Sequence, residues 1–167
     1  KTIYKNAAIV FTMSNNITRS LLEEYELDAA QVECAFCGTN TTVNAEFSFT
    51  EERYARKEIL FVGIDWQRKG GPTLLKAFEI VRKAFPDAKL TIVGCDPKVN
   101  QPGCKVVGKV SLNEVGHYYR GASVFCLPTT SEPLGIVFLE AMAYSLPVVA
   151  TNIEAIPEFI HEGKNGY

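Results

Sequence analysis

The sequence predicts a doubly wound α/β fold on a parallel sheet, and three observations carry that prediction. Short apolar runs rich in Val and Ile alternate with segments of helical period along the 167 residues. From Ile59 onward the runs are apolar at nearly every position, as in strands covered on both faces by helices. Two helix starts, at Pro72 and at Gly135, follow closely on such runs.

The elements are expected in this order. Residues 7–11 and 32–36 read as strands around a helical segment at 18–25. Residues 38–57 are polar, rich in Thr, Asn and Glu, and without a sustained apolar period, so 45–57 is expected to be a linker. Beyond it, strands at 59–63, 90–94, 106–110, 123–127 and 147–150 alternate with helices at 72–84, 112–120, 135–144 and 155–161. Two units result, 1–44 and 58–167. The second is expected to be truncated, because the chain stops at Gly166-Tyr167, where another strand would begin.

Composition narrows the function classes. With 47% hydrophobic and 22% charged residues, the chain can bury a real core. A net charge of −2 with scattered Lys and Arg offers no basic stripe, so nucleic acid is excluded as an expected partner. No run approaches the ~18 to 20 apolar residues of a membrane helix, and the first residues lack the apolar centre of a signal peptide. Five cysteines show no disulfide framework, which fits a reducing, cytoplasmic setting. Cys34 and Cys37 form a CxxC pair, but no second pair follows, and His117 and His161 lie far off in sequence, so strand cysteines are expected rather than zinc or redox chemistry. Asn16-Ile-Thr18 and Asn40-Thr-Thr42 match a glycosylation pattern short enough to arise by chance.

In an open parallel sheet ligands sit at the carboxyl ends of the strands, which singles out three loops. The first leaves the strand at Gly63 and carries Arg68 and Lys69 to the helix beginning near Pro72. Two cations beside a helix start, with its unpaired N–H groups, suit a diphosphate; a solvated charged loop is the alternative. The second runs from Pro128 through Glu132, Leu134 and Gly135 into the helix that starts near Ile136. Backbone N–H groups at Leu134, Gly135 and Ile136 can reach a phosphate, with no side chain on Gly135 to block it. Glu140 lies about one turn into that helix, and helical side chains lean toward the N-terminus, so both glutamates face the ligand edge. By themselves, two glutamates eight apart in a chain with 19 acidic residues more often lie on a solvated face. The third loop, 151–157, reads as only small and polar groups.

Taken together, these segments resemble the family 4 (group 1) glycosyltransferases, retaining enzymes of the two-domain GT-B fold. The resemblance is carried by Ile59-Leu-Phe-Val-Gly63, Arg68-Lys-Gly-Gly-Pro72, Ala88-Lys-Leu-Thr-Ile-Val-Gly94, Glu132-Pro-Leu-Gly-Ile-Val-Phe-Leu-Glu-Ala-Met-Ala143, Leu146-Pro-Val-Val-Ala-Thr151 and Pro157-Glu-Phe-Ile160. It covers nearly all of 58–167, and reads Glu132 and Glu140 as the family's paired glutamates.

The resemblance implies a Rossmann-like, nucleotide-sugar-binding half of such an enzyme, with residues 1–44 a remnant of the acceptor domain and Ser14 matching a serine after its strand. Lys69 matches the lysine on the donor diphosphate, Glu132 the glutamate beside the reacting sugar carbon, and Glu140 the glutamate on the ribose hydroxyls. Gly63, Leu134, Gly135 and Ile136 match backbone around the donor. Ile64 stands where an arginine is common, so Arg68 is expected to supply the second positive charge, and Ser145 replaces a usual glycine without expected harm. The base is expected near 109–111.

The implied reaction moves a sugar from a nucleoside diphosphate to an acceptor hydroxyl with retention, in polysaccharide or glycoconjugate synthesis. Arg68, Lys69 and the helix amides would stabilise the leaving diphosphate. Glu132, Lys69 and Arg68 are therefore the expected catalytic residues. No cofactor and no metal are expected, since no Asp-x-Asp pair is present and protein cations can neutralise the leaving group. The acceptor, a glycan or glycolipid, would be bound by the missing domain, which would also decide any peripheral attachment to the cytosolic face of a membrane. The rival readings are a GT-B-like epimerase or phosphorylase, a non-catalytic nucleotide-binding scaffold, and a dinucleotide-binding domain, the last disfavoured because no Gly-x-Gly-x-x-Gly follows any strand.

Overall fold

The computed structural model describes residues 2–41, 43 and 50–167. Five strands, β3 (Glu58–Val62), β4 (Lys89–Val93), β5 (Cys104–Gly108), β6 (Val124–Leu127) and β7 (Val148–Ala150), pair in the order β5-β4-β3-β6-β7, all parallel. Helix α4 (Gly71–Ala84) joins β3 to β4, α5 (Leu112–Gly121) joins β5 to β6, and α6 (Ile136–Ala143) joins β6 to β7. This is the expected α/β architecture. Strand order reverses between β3 and β6, so the loops after these two strands border a crevice at the carboxyl edge of the sheet.

The core explains why the strand runs are apolar throughout. Leu60, Phe61, Leu90, Ile92, Val93, Phe125 and Leu127 are buried, against Leu74 and Phe78 of α4 and Phe138 and Ala141 of α6. Phe125 meets Phe138 edge to face at 5.7 Å, and Tyr119 of α5 stacks on Tyr144 at 5.5 Å. Fully burying a Phe side chain contributes roughly 1.5 to 3 kcal/mol, so the phenylalanine contact holds α6 against the sheet, while the tyrosine stack ties α5 to the end of α6.

A second, smaller unit precedes this one. Helix α1 (Thr2–Lys5) leads to β1 (Val10–Thr12), α2 (Asn15–Glu23), the 3-10 turn Ala29–Gln31 and β2 (Val32–Cys34), with β1 and β2 paired in parallel. Ser14 caps α2, its hydroxyl accepting from the Ile17 N–H at 3.2 Å, so the helix begins three residues before the expected start. Cys34 ends β2 and Cys37 lies just beyond it, both as free thiols.

Two segments differ from expectation. Of the expected linker, residues 45–49 lie outside the described residues, but Glu51–Ala55 forms a short helix, α3, that docks onto the larger unit. Its anchor is Arg53, whose guanidinium donates to the carbonyls of Ala122 and Tyr144 at 2.7 Å each and of Tyr119 at 2.5 Å. Residues 155–161 form only the 3-10 turn Ile156–Glu158 instead of a helix, because Pro157 has no N–H to extend one and disfavours helical backbone before it. That turn brings the two units together. The Glu158 carboxylate accepts from the Asn15 N–H at 2.8 Å, the Asn16 N–H at 2.7 Å and the Asn15 side-chain amide at 3.0 Å. Among the described residues no helix is long and apolar enough to cross a membrane.

Candidate functional site

The loops that follow β3 and β6 are bound to each other before they can bind anything else. The Arg68 carbonyl accepts from the Thr130 N–H at 2.9 Å and the Thr129 hydroxyl at 3.0 Å, while Arg68 Nη1 donates to the Ser131 carbonyl at 2.8 Å. Close approach at Gly70 makes this possible. Its φ is 76°, and a Cβ there would lie 1.8 Å from the Pro128 carbonyl oxygen. No L side chain fits that space or readily takes that backbone.

This zipping brings Lys69 and Glu132 together as a nearly buried ion pair, their side chains 12% and 9% exposed. Glu132 is held again from behind: its N–H donates to Glu154 Oε2 at 2.5 Å, and the Ser131 hydroxyl donates to Glu154 Oε1 at 3.1 Å. Glu154 belongs to the third loop, expected to supply only small and polar groups. Its charge stands on left-handed backbone at φ 49°.

Gly135 opens α6 at φ 85°, where a Cβ would fall 2.5 Å from the Phe138 ring, and no side chain caps the helix. First-turn N–H groups are thus left to face the crevice, with the partial positive charge of a helix start. Glu140, 4% exposed, lies about one turn along, and its Oε2 accepts from the Tyr119 hydroxyl at 2.8 Å. Burial pushes the Glu140 carboxyl above its ordinary value, and the Tyr119 hydrogen bond pulls it partly back.

A cavity of about 380 Å³ lies along the carboxyl edge, within the size range of small-ligand pockets. Gly63, Arg68, Lys69, Ile136 and Glu140 line it, together with Val110 and Ser111 from the stretch expected near the base. Leu134 and Gly135 build the turn that aims α6 and do not line the cavity, and Glu132 borders it through Lys69. Arg68 reaches the cavity while paired with Asp65 at 3.6 Å and with the Ser131 carbonyl. Ser14, singled out by resemblance, caps a helix.

The family described as Glycosyl transferases group 1 matches residues 56–167, two thirds of the chain and the whole of the five-stranded unit. The chain belongs to that family. Relatives of this group 1 chain include an uncharacterised glycosyltransferase of Haemophilus influenzae, 33% identical over 66% of the chain and 34% of the relative. A phosphatidyl-myo-inositol mannosyltransferase of Mycobacterium tuberculosis is 36% identical over 66% of the chain and 32% of the relative. Among solved structures, a sucrose-phosphate synthase from Thermosynechococcus elongatus superposes with a TM-score of 0.76 at 26% identity, over 99% of the chain and 46% of that protein. The group 1 chain thus spans about a third of the length of the curated relatives it matches.

Within this group 1 chain, sequence reasoning missed four residues at or behind the site. Tyr119 and Glu154 are tertiary partners of the two glutamates, Thr129 helps to zip the loops, and Asn40 reaches the cavity from the smaller unit. The acidic residue in the third loop was visible. What no local pattern could show is that its carboxylate turns back onto Glu132.

Proposed function

We propose that this chain is the donor-binding half of a retaining glycosyltransferase that moves a sugar from a nucleoside-diphosphate sugar to an acceptor hydroxyl. One observation carries the reading: Lys69 and Glu132 converge from the two switch-point loops below the uncapped start of α6, with Glu140 one turn deeper on the cavity wall. The name of the mycobacterial relative supports a glycolipid or glycoconjugate as the acceptor.

The chemistry follows from the charges. A departing diphosphate gains negative charge, so cations and oriented N–H groups that meet it there lower the barrier. Lys69 and Arg68 supply the cations, and Ile136 and the uncapped first turn of α6 the N–H groups. Without donor, Lys69 is paired to Glu132; with donor, Lys69 turns to the diphosphate and Glu132 accepts from a sugar hydroxyl near the reacting carbon. Glu140, oriented by Tyr119, accepts from the ribose hydroxyls. Protein groups neutralise the leaving group, so neither metal nor cofactor enters this scheme.

Calorimetry of the chain with UDP, GDP and ADP and with the matching nucleosides tests the reading. Lys69→Ala should weaken the diphosphates and leave nucleosides nearly unchanged, whereas Glu140→Ala should weaken both, by ~1.5 to 3 kcal/mol. Equal losses of nucleoside and diphosphate affinity in Lys69→Ala would place the lysine away from phosphate.

A further inference from the structure

Glu154 occupies a position that ordinary side chains avoid. Its φ of 49° is left-handed backbone, which glycine adopts freely and a residue with a Cβ only at a cost. Such backbone persists where its surroundings hold it. Here what holds it is the loop carrying Glu132: one carboxylate oxygen takes the Glu132 N–H at 2.5 Å and the other takes the Ser131 hydroxyl at 3.1 Å. The same loop is gripped from its other side by Arg68, which donates to the Ser131 carbonyl at 2.8 Å. Residues 131 and 132 are thus clamped between a carboxylate and a guanidinium. Glu154 in turn stands four residues before Glu158, which is fastened to the first turn of α2 by three hydrogen bonds, so the clamp has a fixed base.

We propose that Glu154 is a positioning residue: it fixes the peptide that carries Glu132, and so aims the Glu132 carboxylate at the sugar end of a bound nucleotide sugar. The proposal rests on the donor-site reading above. Glu132 lies beside Lys69 at the cavity edge, and a charged acceptor on its backbone N–H fixes the point and direction from which its side chain projects. Released from Glu154, the loop could still bind a diphosphate through Lys69 and the α6 amides. It would lose the angle at which Glu132 meets a sugar hydroxyl. Glu154 touches neither phosphate nor base in this arrangement, so its effect belongs to the sugar alone.

Two variants separate the hydrogen bonds from the backbone strain. Glu154→Gly removes both bonds while relieving the strain, which offsets part of their loss, so it should still fold. Glu154→Gln keeps two hydrogen-bonding atoms and should hold the loop, with its amide oxygen accepting from the Glu132 N–H and its NH2 donating to the Ser131 hydroxyl. Amide hydrogen exchange and proton shift of the Glu132 N–H report the clamp without any ligand. Glu154→Gly should speed its exchange about tenfold or more, and Glu154→Gln should keep it near the wild-type rate. Calorimetry with UDP against UDP-glucose, and GDP against GDP-mannose, reports the sugar. For whichever pair binds, Glu154→Gly should reduce the sugar nucleotide by about tenfold beyond any change in the bare diphosphate, and Glu154→Gln should restore it. An unchanged Glu132 amide in Glu154→Gly, or equal losses for the sugar nucleotide and its diphosphate, overturns the proposal. Failure of the wild-type chain to bind any of the four ligands overturns the donor-site reading, while the amide measurement still decides whether Glu154 holds Glu132.

Discussion

The Tyr119 hydroxyl donates to Glu140 Oε2 at 2.8 Å across the junction of α5 and α6, in a place where both groups are almost fully buried. That bond is a stabilising influence on the ionised form of Glu140, working against burial, which raises its carboxyl pKa. A group whose folded pKa lies above its unfolded value contributes stability at low pH that is lost as pH rises through the folded pKa. Stability should therefore decline from the ordinary value of 4.5 upward on account of Glu140. Glu140→Gln should remove that decline and raise the melting temperature near neutral pH, because glutamine can still accept from Tyr119. Thermal melts of both proteins between pH 4.5 and 8 check this, and parallel curves would mean that Glu140 is better solvated than its burial implies.

Tyr119→Phe tests the same bond from the other side. With the hydroxyl gone, the Glu140 carboxyl should titrate at higher pH than in wild type, observable by carboxyl-carbon NMR of the glutamates. If Glu140 binds the ribose as proposed, nucleoside-diphosphate affinity should then fall away on acidification at a higher pH than in wild type. An unmoved Glu140 resonance would remove Tyr119 from the site.

Glu158 joins the smaller unit to the larger through the N–H groups of Asn15 and Asn16. In Glu158→Ala those two amides should exchange with solvent about tenfold faster or more, with residues 10–23 following, while amides in β3, β4 and β6 keep wild-type protection. Uniformly faster exchange over the whole chain would show instead that the two units unfold as one.

Arg53 satisfies three backbone carbonyls at the ends of α5 and α6. Arg53→Met would fill much of the volume but leave those acceptors without their donor, and should cost about 3 kcal/mol in chemical denaturation. A loss under ~1 kcal/mol would mean that water takes over the guanidinium's bonds.

Ser145, where resemblance puts glycine, ends α6 at φ 52°, and its carbonyl accepts from the Tyr54 hydroxyl at 3.0 Å. Ser145→Gly keeps that backbone bond and relieves the left-handed strain, so it should stabilise the chain by roughly 0.5 to 1 kcal/mol. A destabilised variant would show that the serine side chain itself holds the helix end.

The sequence by itself determined the parallel α/β unit, its strands to within two residues or so, and the edge on which Arg68, Lys69, Glu132 and Glu140 stand. Those features are written in short range: a run apolar at every position, a helix start after a strand, a carboxylate one turn into a helix. Periodicity and turn chemistry act over a few residues, so a linear pattern carries them. Tertiary structure alone decided which side chains hold the glutamates in place. Glu154 reaches Glu132 across 22 residues, Tyr119 reaches Glu140 across 21, and Glu158 reaches Asn16 across 142. The sequence also could not show that part of an apparent linker is a helix pinned by a buried arginine, since Arg53 finds its carbonyls 66 to 91 residues away. A carboxylate or guanidinium in a polar loop looks the same whether it faces water or a buried peptide. Only the packing of the loops against one another decides between the two.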